Sequence, residues 1–395
     1  MSSHKPLVLL VLSFCTCAAY AQTPEDKEEL SSVTVESTGD ESDLRHSPLP
    51  VTVIDAERFH GRNISLNEVL KRVAGVRLRE EGGLGSRTTL AIHGLEGKRV
   101  KIFINGNPLN SPDGTFGIND IPIQLIQNIE IYKGVVPARF GGDALGGAVN
   151  IVLRDFEGSW VDLNYGHGSF DTQRAAAVLT KMFEAQKIEV GIGGFYNHAA
   201  NDYVMKSPFV DGLKIRRDHD AYSSYAAGLV MTLDDRWFDE IELELVHFES
   251  DKEIQGIQSN IQQAKTKTQL QAVAVSLERA DFLLDRLDFE YDFAWLAIEA
   301  KFIDKAMECF SFDGSARTCP GVGGEISGIP HDSNDEHEDL RHDLNLHYSI
   351  NRNHGINLHL NTVRSTFSPC DPLASEELGY VIGAFPSDKT NSVIT

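Results

Sequence analysis

Beyond Arg154 the chain alternates apolar and polar residues with a period of two. Leu287, Phe289, Tyr291 and Phe293 alternate with Asp288, Glu290 and Asp292, and Ile241, Leu243 and Leu245 alternate with Glu242 and Glu244. Leu344, Leu346, Tyr348 and Ile350 alternate with Asn345, His347 and Ser349, and Ile356, Leu358 and Leu360 with Asn357, His359 and Asn361. Such alternation predicts strands with one buried face. It places strands near 159–166, 172–180, 188–197, 221–233, 237–248, 266–278, 286–299, 339–350 and 356–364. Carboxylates opposite the apolar rows fit a wet lumen behind a lipid-facing surface, and they fit a soluble β-sandwich as well. Loop parity separates the two. Connections after the third, fifth, seventh and ninth strands are long. Those after the second, fourth, sixth and eighth are short, as in Asp234-Asp235-Arg236 and Asn351 to Gly355. Only the first connection, around His167 to Asp171, breaks the rule by being short. Long loops on one side and short turns on the other mark a membrane β-barrel. Aromatics near the strand ends (Trp160, Trp237, Phe238, Trp295) fit interfacial girdles.

Before Arg154 the pattern is mixed. Leu49 to Asp55 reads as a strand, and Ser65 to Gly75 as a helix. Ser65 and Glu68 have the spacing of a capping box. Leu66, Val69, Leu70 and Val73 share one face, and Gly75 suits the position after the last turn. The stretch from Ile126 to Arg154 (IQNIEIYKGVVPARFGGDALGGAVNIVLR) runs from a strand through Lys133-Gly134 and two double-glycine turns into a second strand, Ala148 to Leu153.

That order of elements resembles the C-terminal half of the plug domain of TonB-dependent outer-membrane receptors. The family pattern there is roughly I-x-x-I-E-V-x-K-G followed by Y-G-x-x-A-x-G-G-x-I-N-I. The matching residues are Ile129, Glu130, Lys133, Gly134, Gly141, Gly146, Gly147 and Asn150. Upstream, Ile92-His93-Gly94-Leu95 and Ile102-Phe103-Ile104-Asn105-Gly106 resemble the family's I-R-G and V-x-I-D-G elements. His93 stands where the family usually has Arg, and Asn105 where it has Asp. Asn-Gly is as good a hairpin turn as Asp-Gly. The resemblance implies an α+β plug domain, residues 48–154, inside a transmembrane antiparallel β-barrel that begins at residue 155.

The N-terminus fits this organisation. Residues 1–21 read as an export signal: Lys5, an apolar core from Leu7 to Phe14, and small residues at Ala19 and Ala21. No apolar run is long enough to cross a bilayer as a helix. Residues 22–47 are acidic, serine-rich and poor in large apolar residues, which predicts a flexible segment. Within it, Ser32, Val33, Thr34, Val35 and Glu36 form a short β-prone run. Such a run is a handle for strand addition, and by position it resembles the TonB box. By itself it reads first as an ordinary linker containing two valines; its place between an export signal and a plug-like domain favours the handle.

A formal charge of −22 over 395 residues, with no large basic cluster, argues against nucleic-acid partners. Lys206, Lys214, Arg216 and Arg217 form a local basic group, suited to an anionic ligand or simply to solvent. Two of the five cysteines lie in the export signal. The spacing of Cys309 and Cys319 allows a disulfide in an oxidising compartment and equally allows two free thiols; Cys370 is left over. No catalytic set, resident metal site or cofactor motif emerges. His337 and His342 are five apart, off the helical zinc-motif spacing. His331, His337, His342 and His347 read as part of an acidic loop leading into a strand, although imidazoles of that number suit a borderline cation.

A plug of ~100 residues needs the lumen of a barrel of about 22 strands, and ~10 residues per strand would use ~220 before any loop. The residues after Arg154 supply about nine strands, so the sequence predicts the N-terminal part of a longer receptor. What the resemblance implies is transport, not catalysis: import of a scarce ligand such as a ferric siderophore, haem or cobalamin, with TonB pairing at the box and outer-membrane lipid around the wall. Glycine-rich tips allow close ligand approach, which makes Gly83, Leu84, Gly85, Ser86 and Arg87, with Asn110, Asp113 and Phe116, the apical plug candidates for ligand contact. A glycan or peptide importer working with a surface lipoprotein is a second reading. A secreted soluble β-rich binding protein is a third, from another class.

Overall fold

The computed structural model describes residues 51–394, apart from 61, 63, 109–117, 135, 137–144, 155–157, 209, 257–258 and 352–353. Residues 1–21 and 32–36, expected to be the export signal and the TonB box, and Asn110, Asp113, Phe116 and Gly141 therefore lie outside the described residues. Eight strands build the first half: β1 (Val51–Asp55), β2 (Val76–Glu80), β3 (Thr88–Ile92), β4 (Leu95–Glu96), β5 (Val100–Ile104), β6 (Asn107–Pro108), β7 (Ile126–Tyr132) and β8 (Gly147–Leu153). They form a five-stranded sheet in the order β1-β7-β8-β5-β6 and a three-stranded sheet β2-β3-β4. β5 and β8 run parallel, and their other pairings are antiparallel.

The core of this half is a cluster of aliphatic side chains. Ile123, Ile126, Ile129, Ile131, Val149 and Ile151 from the sheet region bury against Leu66, Val69 and Leu70 of the helix α1 (Leu66–Leu70). The expected capping box is formed: the Glu68 amide donates to Ser65 Oγ at 3.3 Å, and the Ser65 amide to Glu68 Oε2 at 3.1 Å. Gly75 follows the helix with φ +82°. Across the gap to β2, Asn67 Nδ2 donates to Glu80 Oε1 at 2.7 Å and Lys71 Nζ to Glu80 Oε2.

The second half is one ten-stranded antiparallel sheet. Its members are β9 (Trp160–Gly168), β10 (Thr172–Phe183), β11 (Ile188–Ala199), β14 (Tyr222–Asp234), β15 (Glu240–Glu253), β16 (Lys265–Arg279), β17 (Leu287–Asp304), β20 (His331–Asn351), β21 (His354–Ser368) and β22 (Ser387–Ile394), paired in that order. The connections carry two small hairpins, β12 (Tyr203–Lys206) with β13 (Lys214–Arg217) and β18 (Cys309–Phe310) with β19 (Ala316–Arg317), and the helix α2 (Pro372–Leu378). Among the described residues β9 and β22 do not pair with each other, so this sheet is an open wall.

Period two sorts the wall into two faces. Register aligns Leu179, Ile192, Leu229, Leu245, Val273, Trp295 and Leu340 into one continuous apolar row on the outer face. The inner face at the short-turn end carries Glu242 and Glu244 of β15 and Asp288, Glu290 and Asp292 of β17, on either side of β16. Trp295, expected at a strand end, sits in mid-strand instead, because β17 runs on to Asp304 and not to 299. Its Nε1 donates to Glu338 Oε1 at 2.6 Å.

Two further departures have physical causes. The His331–Asp339 stretch, expected to be loop, is the first part of β20. Its charged residues look unlike a strand, but residues 296–304 of β17 pair with it and satisfy its backbone. The strand β22 (SDKTNSVI) had no apolar alternation to reveal it and is held by pairing with β21, including Arg364 Nη2 to Asp388 Oδ2 at 2.6 Å. Long loops and short turns fall on opposite ends of the wall as the parity required; the tight turn at 169–171 is the one short connection on the long-loop side.

Burial alone would raise the Glu80 pKa, but hydrogen bonds from Lys71 and Asn67 and the Lys71 charge outweigh it and hold the carboxyl below its usual value. A depressed folded pKa gives stability that is present above the ordinary carboxylate range and lost as pH falls through the folded value. The pair is part-exposed, so the effect is below about 1 kcal/mol. Protection of the Lys71 amide, which bonds Asn67 O, is expected to drop between neutral pH and pH ~4, and Glu80→Gln should flatten that dependence.

Candidate functional site

Four of the plug signature residues, Asn105, Gly106, Glu130 and Asn150, meet in one hydrogen-bonded knot. Asn105 (φ +46°) and Gly106 (φ +77°) form the turn between β5 and β6. The Gly106 amide donates to Asn150 Oδ1 at 3.0 Å, and Asn150 Nδ2 donates to Glu130 Oε2 at 3.0 Å, which also accepts from the Tyr132 hydroxyl at 2.8 Å. Asn105 Oδ1 accepts from the Leu153 amide at 2.8 Å. Buried polar groups must be paired, and here each one fixes a strand end or a turn. Gly147 has φ +131°, and a Cβ there would lie 2.3 Å from the Tyr132 carbonyl oxygen, so only glycine fits. Ile129 lies in the core, while Gly94 (φ +80°) and Gly134 (φ +99°) serve turns. Gly146 donates its amide to Arg99 O at 2.7 Å, and Lys133 sits half-buried beside Gly134. The unusual His93 occupies a positive-φ position (φ +50°), its ring against Gly75 and its amide on Gly75 O at 3.0 Å.

A second site lies where this domain meets the inner face of the wall, at the long-loop end. Asp120, in the short turn Ile118–Asp120, is 4% exposed. Its Oδ1 accepts from the Tyr222 hydroxyl at 2.7 Å, and its carbonyl from Asn197 Nδ2 at 3.0 Å. Asn197 Nδ2 also reaches Ser224 Oγ at 3.3 Å. Half-buried Arg174 lies in the field of Asp120 and Glu68. A hydrogen bond to a charged acceptor contributes roughly 1.5–3 kcal/mol, and a buried carboxylate without one would cost as much or more. Three wall strands therefore supply what Asp120 needs.

Tyr222 also joins the apical loop 82–87 to the wall. Leu84, Ala199 and Tyr222 form a buried cluster. Asn201 Nδ2 donates to Leu84 O at 3.0 Å. The loop runs so close that a Cβ on Gly85 (φ +76°) would lie 2.2 Å from the Tyr222 ring, and one on Gly83 2.2 Å from Asn201 Oδ1. Of the apical residues expected to contact ligand, Leu84 is turned into the wall, Gly85 and Ser86 are half-buried, and Gly83 and Arg87 are exposed. At the first wall strand, Arg154 Nη1 donates to Asp162 Oδ2 at 3.0 Å, with its guanidinium 4.0 Å over the Trp160 ring.

The basic group is less free than its sequence suggests. Lys206 pairs across the hairpin with Lys214, Arg216 contacts Asp202 at 3.3 Å, and Arg217 contacts Asp220 at 3.3 Å. The histidines do not converge. His331, His337 and His347 alternate down the inner face of β20, whereas His342 is on the outer face, its Nδ1 2.8 Å from the Tyr291 hydroxyl. Among the described residues no set of three or more His, Cys, Asp or Glu is placed to hold a metal ion. Cys309 and Cys319 form a disulfide that closes the β18–β19 hairpin, and Cys370 is an exposed free thiol. Asp120, Asn197, Asn201 and Tyr222 belong to no motif. The one hint was Asp120 itself, a carboxylate flanked by Ile118 and Ile121 in an apolar stretch.

Residues 43–148 match the TonB-dependent Receptor Plug Domain family. Residues 43–148 thus carry a plug domain of the TonB-dependent receptor type, and a large antiparallel sheet follows them. Solved structures share the fold at low identity. The siderophore receptor PirA from Acinetobacter baumannii is 14% identical, with a TM-score of 0.61, over 86% of this chain and 51% of its own. The ferric enterobactin receptor PfeA from Pseudomonas aeruginosa, in complex with enterobactin, is 13% identical (TM-score 0.61; 87% of this chain, 54% of its own). The copper transporter OprC is 14% identical (TM-score 0.60; 88% of this chain, 52% of its own). The chain spans about half the length of the structures it matches.

Gly85→Ala combines a disfavoured backbone with a clash on Tyr222 and should lift the apical loop off the wall. Trypsin cleavage after exposed Arg87 in the native receptor is expected to speed up at least about tenfold, whereas Gly83→Ala, whose neighbour is a side-chain tip, should have a smaller effect.

Proposed function

We propose that this chain belongs to an outer-membrane active importer of a metal chelate, of the siderophore-receptor type, energised through TonB. The observation that carries the reading is the plug seated on the inner face of a one-sidedly looped wall and held there by Asp120 and Tyr222. A passive pore would not need a folded domain tied across its lumen. A soluble binding protein would not need a continuous apolar row on the far face of the sheet with Val161, Leu179, Ile192 and Leu245 exposed along it. That row suits the hydrocarbon layer, and the longer strands β17 and β20 exceed the ~9–11 residues that a bilayer crossing requires.

The ligand class is read from fold-level likeness to siderophore and copper receptors together with the long loops over the plug; those loops, not the scaffold, set specificity. Among the described residues the plug meets its wall through polar contacts at Asp120 and Asn201 and one small apolar cluster at Leu84, which suits a domain that is held and then displaced. Force would enter through residues 32–36, where an added strand offers main-chain hydrogen bonds with little side-chain demand.

Proline at Val33 or Val35 removes a pairing N–H. In cells carrying the native receptor, Val33→Pro is expected to cut energy-dependent uptake of its iron chelate at least about tenfold and to leave surface binding intact. Unchanged uptake would remove the box from residues 32–36, and equal loss of binding would point to misfolding instead of uncoupling.

A further inference from the structure

Three chain segments meet on Asn201, two through its side chain and one through its backbone amide. Its Nδ2 donates to Leu84 O of the plug apex at 3.0 Å and to Asp220 O, just past β13, at 2.9 Å. Its amide donates to Phe170 O at 3.2 Å, beside the Ala200 amide at 3.0 Å. Asn201 is buried, and its φ is +54°. Phe170 has φ +60° and ψ +34°, and Asp171 has φ +53°. Asparagine enters the left-handed region with modest penalty, but phenylalanine does so rarely. A strained backbone of this kind persists only where its surroundings over-determine it. Here the plug supplies one of the constraints.

What lies beyond the strained turn faces the long-loop side. The Phe170 ring stands edge-on to Tyr203 at 5.8 Å, and the Arg217 guanidinium lies 5.5 Å from the Tyr203 ring centre. Asp220 gathers Arg217 at 3.3 Å and Lys252 at 2.7 Å, and Lys252 also reaches the Asp220 carbonyl that Asn201 holds. The rim formed by Phe170, Tyr203 and Arg217 is thus one side chain away from the plug apex.

We propose that Asn201 is a coupling residue that links the position of the plug apex to the shape of this rim. While Leu84 O accepts from it, Asn201 stays left-handed and its amide holds Phe170 in the strained turn. When the apex leaves, the carboxamide loses that acceptor, the strain at 201 and 170 is no longer over-determined, and the turn relaxes together with the hairpin base at Asp220. Coupling free energy is reciprocal, so an event that rearranges the rim also loosens the apex. Its use in import rests on the importer reading above, but its test does not.

Hydrogen exchange of the native receptor in detergent reads both ends at once. The Ser86 amide (bonded to Gly83 O) reports the apex, and the Thr172 and Ala200 amides (bonded to Ser169 O and Phe170 O) report the turn. Leu84→Ala changes a plug residue and removes its packing on Ala199 and Tyr222, so the Asn201→Gly background separates lost packing from the carboxamide link. Leu84→Ala is expected to raise exchange about tenfold at Ser86 and also at Thr172 and Ala200. Asn201→Gly keeps the backbone conformation without the carboxamide; in that background Leu84→Ala should change Ser86 alone. Leu84→Ala without effect at Thr172 and Ala200 would overturn the proposal, as would an equal effect with and without the Asn201 side chain. A uniform rise that includes the β17 amides would also overturn it, since no particular path would then exist. Loss of uptake in Val33→Pro with no such coupling would leave the importer reading standing and the node refuted.

Discussion

A carboxylate buried at the seam between two layers sets the terms for this molecule. Asp120 belongs to the plug, yet the hydrogen bond to its side chain comes from Tyr222 and the one to its carbonyl from Asn197, both on the wall. Taking a charge out of water is costly unless it is paired. The plug is therefore completed by the wall, and the wall strands β11 and β14 turn polar side chains inward where a closed apolar core would otherwise suffice. Close backbone approach at Gly83 and Gly85 brings the apical loop against the same two strands. Among the described residues, directional contacts and the small apolar cluster of Leu84, Ala199 and Tyr222 hold this seam. Such contacts give a defined seat and can be broken one at a time, unlike a wide apolar interface.

The wall's two faces obey different solvents. Outer rows such as Leu229, Leu245 and Val273 form a level apolar band, and Trp295 and Tyr291 on that face carry hydrogen bonds to Glu338 and His342. On the inner face the short-turn half is rich in carboxylates, and residues nearer the long-loop end meet the plug. The long-loop side carries its own small structures, including a disulfide-closed hairpin. The buried side chains of Asp304 and Glu325 accept backbone amides there: Asp304 from Glu325 and Ile326, and Glu325 from Gln262, Gln263 and Ala264. Two long loops are stapled together in this way, so the long-loop side is ordered by its own side chains.

Much of this was legible in the sequence, for reasons that can be named. The plug motif could be read because its residues each answer a local backbone need: Asn105-Gly106 a turn with two positive φ values, Gly147 a carbonyl that leaves no room for a Cβ, Ser65 and Glu68 a helix start. Nine wall strands could be read because one face is apolar. The tenth, β22, is polar on both faces and depends on β21 for its definition, and the first part of β20 was hidden by its histidines and carboxylates. The seam was not legible at all. Asp120 and Tyr222 are 102 residues apart and Leu84 and Asn201 are 117 apart. No period or spacing records such a pair; only the fold brings the partners together. The expected role of Leu84 at a ligand surface shows the same limit, since a glycine-rich tip reads alike whether it faces solvent or a wall.

The central claim is that the plug apex is seated on the inner face of the wall, and cysteine cross-linking in isolated outer membranes tests it most directly. With Cys370 replaced by serine, the pair Leu84→Cys and Ala199→Cys, which occupy one buried cluster, should form a disulfide under mild oxidation. Leu84→Cys with Ile192→Cys, on the opposite face of the same strand, should not. A Leu84–Ala199 cross-link confined to that pair is the predicted result. Its absence in a folded receptor, or cross-linking to both positions alike, would contradict the account.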